Sequence, residues 1–215
     1  MVRLSGVCVL LIFASFAAAG TSREAIPVVN EGGIRNAWTL PPGTKLPVPG
    51  YPSEFSNDQA EVCVAVGYLI NPDGHTSDFA LLKSWSAGEP KQDRDRYWSA
   101  FAGVASAALS QWRFIPKADV AAPREVYTVA TFVFASPNVR ESSKQCAIPN
   151  LGQRLVELRQ DPRVLRRMSV NGVFDRLELD PTLEAHYLSR QRNQQSPRKH
   201  PPATPPVQSS NQSPF

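Results

Sequence analysis

The side chains best suited to chemistry are few in this 215-residue chain, and their spacing does not favour it. The three histidines, His75, His186 and His200, fall in separate segments, no pair of them has metal-ligand spacing, and there is no C-x-x-C pair. No serine sits in a G-x-S-x-G context, and phosphate-cradling glycine patterns are missing. Asp73, Asp78 and the Asp93/Asp95 pair stand where turns and helix caps are expected, not as an acid/base couple. The expectation is a protein that is not an enzyme and holds no cofactor and no metal.

Cysteine is the exception. Cys8 lies in a stretch without charge from Leu4 to Gly20 that closes on Ala17-Ala18-Ala19. At about 1.5 Å per residue that stretch makes roughly 25 Å of helix, short of the ~30 Å hydrocarbon core. Small residues at its end mark a secretory signal over residues 1–20, with an uncleaved short anchor as the alternative. Either way the rest of the chain is expected to be exported, with membrane contact only if the segment stays attached. Cys63 and Cys146 remain. In an oxidising compartment this even pair reads as a disulfide, the alternative being two separate buried thiols.

The elements around these residues can be placed from periodicity. Residues 21–48 contain Pro27, Pro41, Pro42 and Pro47 with Gly32-Gly33 and Gly43, and read as an extended linker. Residues 60–85 read as a hairpin. Val62, Val64, Val66, Tyr68 and Ile70 share one face, while Cys63, Ala65, Gly67 and Leu69 share the other. Asp73-Gly74 supplies the turn, and the second strand brings Phe79 and Leu81 to one face. The spacing of Trp98, Phe101, Ala105, Ala108 and Leu109 predicts an amphipathic helix from about Asp95 to Arg113. It ends before Pro116, which cannot donate to a helical ladder. Trp98, Phe101 and Trp112 are expected as core wedges, with Trp112 fully buried. Residues 124–135, rich in β-branched and aromatic types, predict a third strand. The fold class is α+β: a small antiparallel sheet of three strands, in the order strand-strand-helix-strand, with a helix packed on one face.

Beyond it, residues 137–192 read as an amphipathic helical extension. Asn150 to Gln153 offers a capping-box start, and Asp161-Pro162 and Asp180-Pro181 each look like an N-cap followed by proline. Residues 193–215, rich in Pro, Ser and Gln, read as a disordered tail. Net charge is +4, with the basic excess in the C-terminal third. That third carries few aromatic residues to stack on bases, so nucleic acid is not an expected partner.

In this order, the pieces between residues 49 and 136 resemble the C-terminal domain of the TonB family. The resemblance rests on Pro49-Gly50-Tyr51-Pro52 with Phe55 after it, the stretch VCVAVGYLINPDG that ends in Asp73-Gly74, SDFALLKSW, and AALSQWRFIP with Trp112, Arg113, Phe114 and Pro116. YTVATFVF closes the set. What it implies is a periplasmic protein-interaction domain that binds a receptor peptide by strand addition and couples inner-membrane energy to outer-membrane transport. The binding edge would be Val126, Tyr127, Thr128, Val129, Ala130, Thr131, Phe132 and Val133, and the partner a peptide segment of an outer-membrane receptor or of another envelope protein. Helices from 150–192 over that edge, or a second copy of the chain making a homodimer there, are the competing uses. The lead before the domain is short and its N-terminal stretch lacks histidine, unlike transducing members. A soluble periplasmic adaptor or assembly protein with the same fold therefore stands as the alternative.

Overall fold

The computed structural model describes residues 24–195 apart from 58, 89, 91–92, 121 and 162–171. The expected signal or anchor, the helix expected from Pro162, and the tail from 196 onward lie outside the described residues. The chain is mixed α and β, with several helices and small antiparallel sheets, and its central sheet runs β4-β3-β6. Here β1 is Ile26–Pro27, β2 Trp38–Thr39, β3 Val62–Ile70, β4 Thr76–Ser86, β5 Ile115–Pro116, β6 Val126–Phe134 and β7 Leu177–Glu178. The helices are α1 Arg94–Leu109, α2 Val139–Cys146, α3 Leu151–Arg159, α4 Val173–Arg176 and α5 Pro181–Gln195.

Alternation along β3 sorts its side chains into two cores. Val62, Val64, Val66, Tyr68 and Ile70 pack with Phe101, Ala105 and Leu109 of α1 and with Ala130, Phe132 and Phe134 of β6. Cys63, Ala65 and Leu69 turn to the opposite face, where Leu151, Leu155 and Leu158 of α3 cover them together with Phe174 and Leu177. The small-residue face is thus a second core, not a solvated one, and the sheet is covered on both sides. Cys63 and Cys146 are bridged across this second core, with α-carbons 6.0 Å apart, inside the range a disulfide spans without distortion. The bridge ties α2 to β3.

Several local expectations are met for identifiable reasons. Gly74 takes φ +80° in the turn, and an added β-carbon there would collide with the Phe114 carbonyl. Asp73 Oδ1 accepts from the His75 N–H at 3.0 Å, and the Phe114 N–H donates to Gly74 O at 3.0 Å. The hairpin tip is therefore pinned to the exit of α1. Tyr51 sets its ring edge-on to Phe101, with centroids 5.1 Å apart. Pro52 immediately precedes the short 3-10 turn Ser53–Phe55 that buries Phe55. Asn150 Oδ1 caps α3 by accepting from the Gln153 N–H, and Asp180 Oδ1 accepts from the Thr182 N–H at the start of α5.

Other expectations are corrected. Helix α1 stops at Leu109, not Arg113, because the bond from Phe114 to Gly74 and the pairing of β5 with β2 draw the chain away. Arg113 lies in this exit, and its Nη1 donates to the carbonyls of Ser110 and Trp112. Pro116, beyond it in β5, faces Trp38 of β2. Trp112 is half-buried, not fully buried, with its indole N–H donating to Pro47 O at 3.2 Å. Trp98 is also only half-buried, and Tyr97 beside it takes the core position. Helix α2 lies within the stretch expected to be helical, ahead of the start marked by Asn150. Residues 21–48 are not a spacer where described: Ile26 and Trp38 are buried, β1 pairs in parallel with β7, and β2 pairs with β5. The small side sheets that result are absent from the expected layout.

Candidate interaction edge

Strand β6 is an outer strand of the central sheet, and its backbone groups alternate between β3 and the outside. The outward set is identified by two bonds. The Val29 N–H donates to Tyr127 O at 3.0 Å, and the Thr131 N–H donates to Glu31 Oε1 at 2.8 Å. By parity, the peptide groups of Val129 and Val133 face the same way. Val126, Thr128, Ala130 and Phe132 direct theirs to β3.

The chain itself occupies part of this edge. Val28 bridges Tyr127 in parallel, the Thr128 hydroxyl donates to Asn30 O at 3.4 Å, and the Thr131 hydroxyl donates to the second oxygen of Glu31 at 3.0 Å. Asn30 Oδ1 in turn accepts from the Leu151 N–H at the start of α3. Glu31 puts a side-chain carboxylate where an added strand would place a carbonyl. Gly32 then takes φ +79° and turns the chain off the sheet. Among the described residues, it is the lead and not a helix of 150–192 that lies on the edge.

Of the eight residues expected to bind a partner, Val126, Tyr127, Thr128, Val129, Ala130 and Phe132 are buried within the chain, and Thr131 and Val133 are half-buried. Past Glu31, no strand among the described residues lies against the outer side of Thr131 to Phe134. The stretch of β6 that no described strand pairs is therefore its second half, where Val133 carries the next outward-facing N–H. Sequence reasoning missed the lead's role here because Glu31 carries no local signal of a partner a hundred residues away.

The opposite edge, β4, is built differently. Its register slips between Ala65 and Val66 and again between Gly67 and Leu69 of β3, and Asp78 takes φ +53°. The Leu82 carbonyl on this strand accepts from Arg154 Nε and Nη2 at 2.9 and 2.8 Å. Bulges and a side-chain plug are the usual means of protecting an edge from pairing. β6 is the more receptive of the two.

Beside the β6 edge, an apolar pocket of about 580 Å³ opens on the α1 side of the sheet, with Trp38, Tyr68, Trp112 and Phe114 among its walls. Burial, and secondarily the charge of Glu31, push the Tyr68 hydroxyl well above the usual phenol range, so it stays neutral. Among the described residues there is no group of three His, Cys, Asp or Glu side chains placed to hold a metal. No described helix is long and apolar enough to cross a membrane.

No family model matches the chain, and no curated protein matches it. Among solved structures it has a weak likeness, with a TM-score of 0.34, to the solution NMR structure of the Pseudomonas aeruginosa TonB CTD, at 22% identity over 45% of this chain and 87% of that one.

Proposed function

We propose that this chain is a non-catalytic protein-interaction module of the periplasm that takes an extended segment of another envelope protein as an added strand along Thr131 to Phe134 of β6. The observation that carries this is the half-covered edge: the chain's own lead already pairs with β6 through Val29 and Glu31, then leaves it at Gly32. Strand addition supplies affinity through backbone bonds and selectivity through alternate side chains. The ordered motifs between 49 and 136, which resemble the TonB family, support an outer-membrane receptor as the partner and energy-coupled transport as the setting. A soluble adaptor would use the same edge. The periplasmic assignment is supported by the signal-like N-terminal stretch and by the Cys63–Cys146 bridge, which suits an oxidising compartment.

The test is photocrosslinking in cells from a probe at Thr131, with the captured segment read by mass spectrometry. An extended segment of an envelope protein, lost when Val133→Pro removes an outward donor, is the expected result. Capture that is indifferent to Val133→Pro would overturn strand addition.

A further inference from the structure

We propose that the pocket beside β6 is the side-chain subsite of this edge, and that the docked segment fills it with an aromatic residue flanked by carboxylates. The inference rests on the strand-addition reading above and adds the chemistry of the partner. The pocket touches the edge directly, since Val129 and Ala130 of β6 form part of its wall. The rings of Trp112 and Phe132 lie 5.9 Å apart, so the pocket wall packs directly against a residue of the second half of the strand. A volume of about 580 Å³ falls within the ~300–1,000 Å³ of sites that bind compact ligands.

Charge identifies what accompanies the ring. Three charged residues, Glu31, Arg35 and Lys117, border the pocket. Glu31 is committed to Thr131 through both carboxylate oxygens. Arg35 and Lys117 are exposed, and neither has an ion-pair partner among the described residues. The rim thus presents two uncommitted cations around a floor of aromatic rings. An aromatic group with neighbouring carboxylates answers both features, and a segment with lysine or arginine beside its ring is repelled. Residues 31–46 build much of this wall, so the subsite belongs to the lead as much as to the sheet.

The full chain is titrated with three labelled nonapeptides of alternating valine and threonine, read by fluorescence anisotropy. One carries a central phenylalanine between two glutamates, one has lysines in place of the glutamates, and one has alanine in place of the phenylalanine. The glutamate peptide should bind roughly fivefold or more tighter than the lysine peptide, the scale of two partly exposed ion pairs. The paired reversal Arg35→Glu with Lys117→Glu should invert that order, and the alanine peptide should fall to background. Equal binding of the glutamate and lysine peptides, an order unmoved by the reversal, or no binding by any of the three would overturn the subsite. Binding that Val133→Pro abolishes but ring and charge leave unchanged would overturn the subsite alone and leave strand addition standing. Ring- and charge-dependent binding that survives Val133→Pro, and that free 2-naphthoate displaces, would instead make the pocket a small-acid site and overturn the peptide assignment.

Discussion

Tyr127 of β6 lies across Gly67 of β3, its ring and hydroxyl filling the space where a β-carbon of residue 67 would stand. A methyl group there would also meet Leu82 Cδ1 at 2.8 Å. The Tyr127 hydroxyl is buried with no hydrogen-bond partner among the described residues. Gly67→Ala should therefore cost about 1–3 kcal/mol by overpacking. Tyr127→Phe removes an unsatisfied polar atom and should be neutral or slightly stabilising. The two changes should couple, with Gly67→Ala costing less in the Tyr127→Phe background. Urea denaturation of the four proteins of the cycle measures this, and strict additivity would refute the contact.

Both sulfurs of the Cys63–Cys146 bridge are buried, and the loop it closes has a sequence separation of 83. A loop of that length is worth roughly 4–5 kcal/mol in the chain-entropy model, and measured values are commonly lower. Replacing both cysteines by alanine should lower the denaturation midpoint clearly, by about 2–4 kcal/mol in free energy. Alkylation of the denatured, unreduced protein, made under oxidising conditions, should leave Cys63 and Cys146 unmodified. Two reactive thiols at these positions would rule the bridge out.

Trp112 packs edge-on to Tyr68 and Phe114 and at a tilt to Phe132. It is also the donor to Pro47 O. Because it is only half-buried, Trp112→Ala should cost about 2–3 kcal/mol, below the ~3–5 kcal/mol typical of large core aromatics. Trp112→Phe should recover most of the packing while leaving the Pro47 carbonyl without its donor. Denaturation midpoints that match for all three proteins would remove Trp112 from the structural role assigned to it.

Acid should loosen the attachment of α2 to the sheet. The Glu61 carboxylate accepts from the hydroxyls of Ser142 and Ser136, and these bonds hold its pKa below the usual carboxylate range against a small opposing effect of burial. A carboxyl depressed in the folded state stabilises above its unfolded pKa, and that contribution is lost as pH falls through the folded value. Stability should therefore decline on acidification below the ordinary glutamate range, and Glu61→Gln should flatten that part of the profile. Denaturation midpoints between neutral pH and pH 3 check it, and an identical acid slope in the variant would contradict it.

What was legible in the sequence follows from how far each residue's signal reaches. The two faces of β3 could be read because alternation is local, and the parity of Cys63 with Gly67 and Leu69 put the bridge on the right side of the sheet. The N-caps at Asn150 and Asp180 were equally local. The end of α1 was misplaced because its alanine-rich stretch continues to favour helix while a bond to Gly74, distant in sequence, ends it. Trp98 and Tyr97 are neighbours of similar bulk, and only packing against Phe55 and Phe101 decides which is buried. The candidate edge was half legible. The strand's composition announced it, but nothing around Ile26, Glu31 or Trp38 signals partners at Leu177, Thr131 and Pro116.

The parallel pairing of β1 with β7 has a consequence in time. Ile26 finds Leu177 only when nearly the whole described chain is present, and contacts of such sequence separation form late because loop closure must come first. The hairpin of β3 and β4 can form early. For the interval between, β6 can pair with β3 while β1, next to Val28 and Glu31, still lacks its strand partner. A newly made molecule can therefore hold β6 paired to β3 before the lead is anchored, so that Tyr127 and Thr131 gain their bonds to Val29 and Glu31 after the sheet itself has formed.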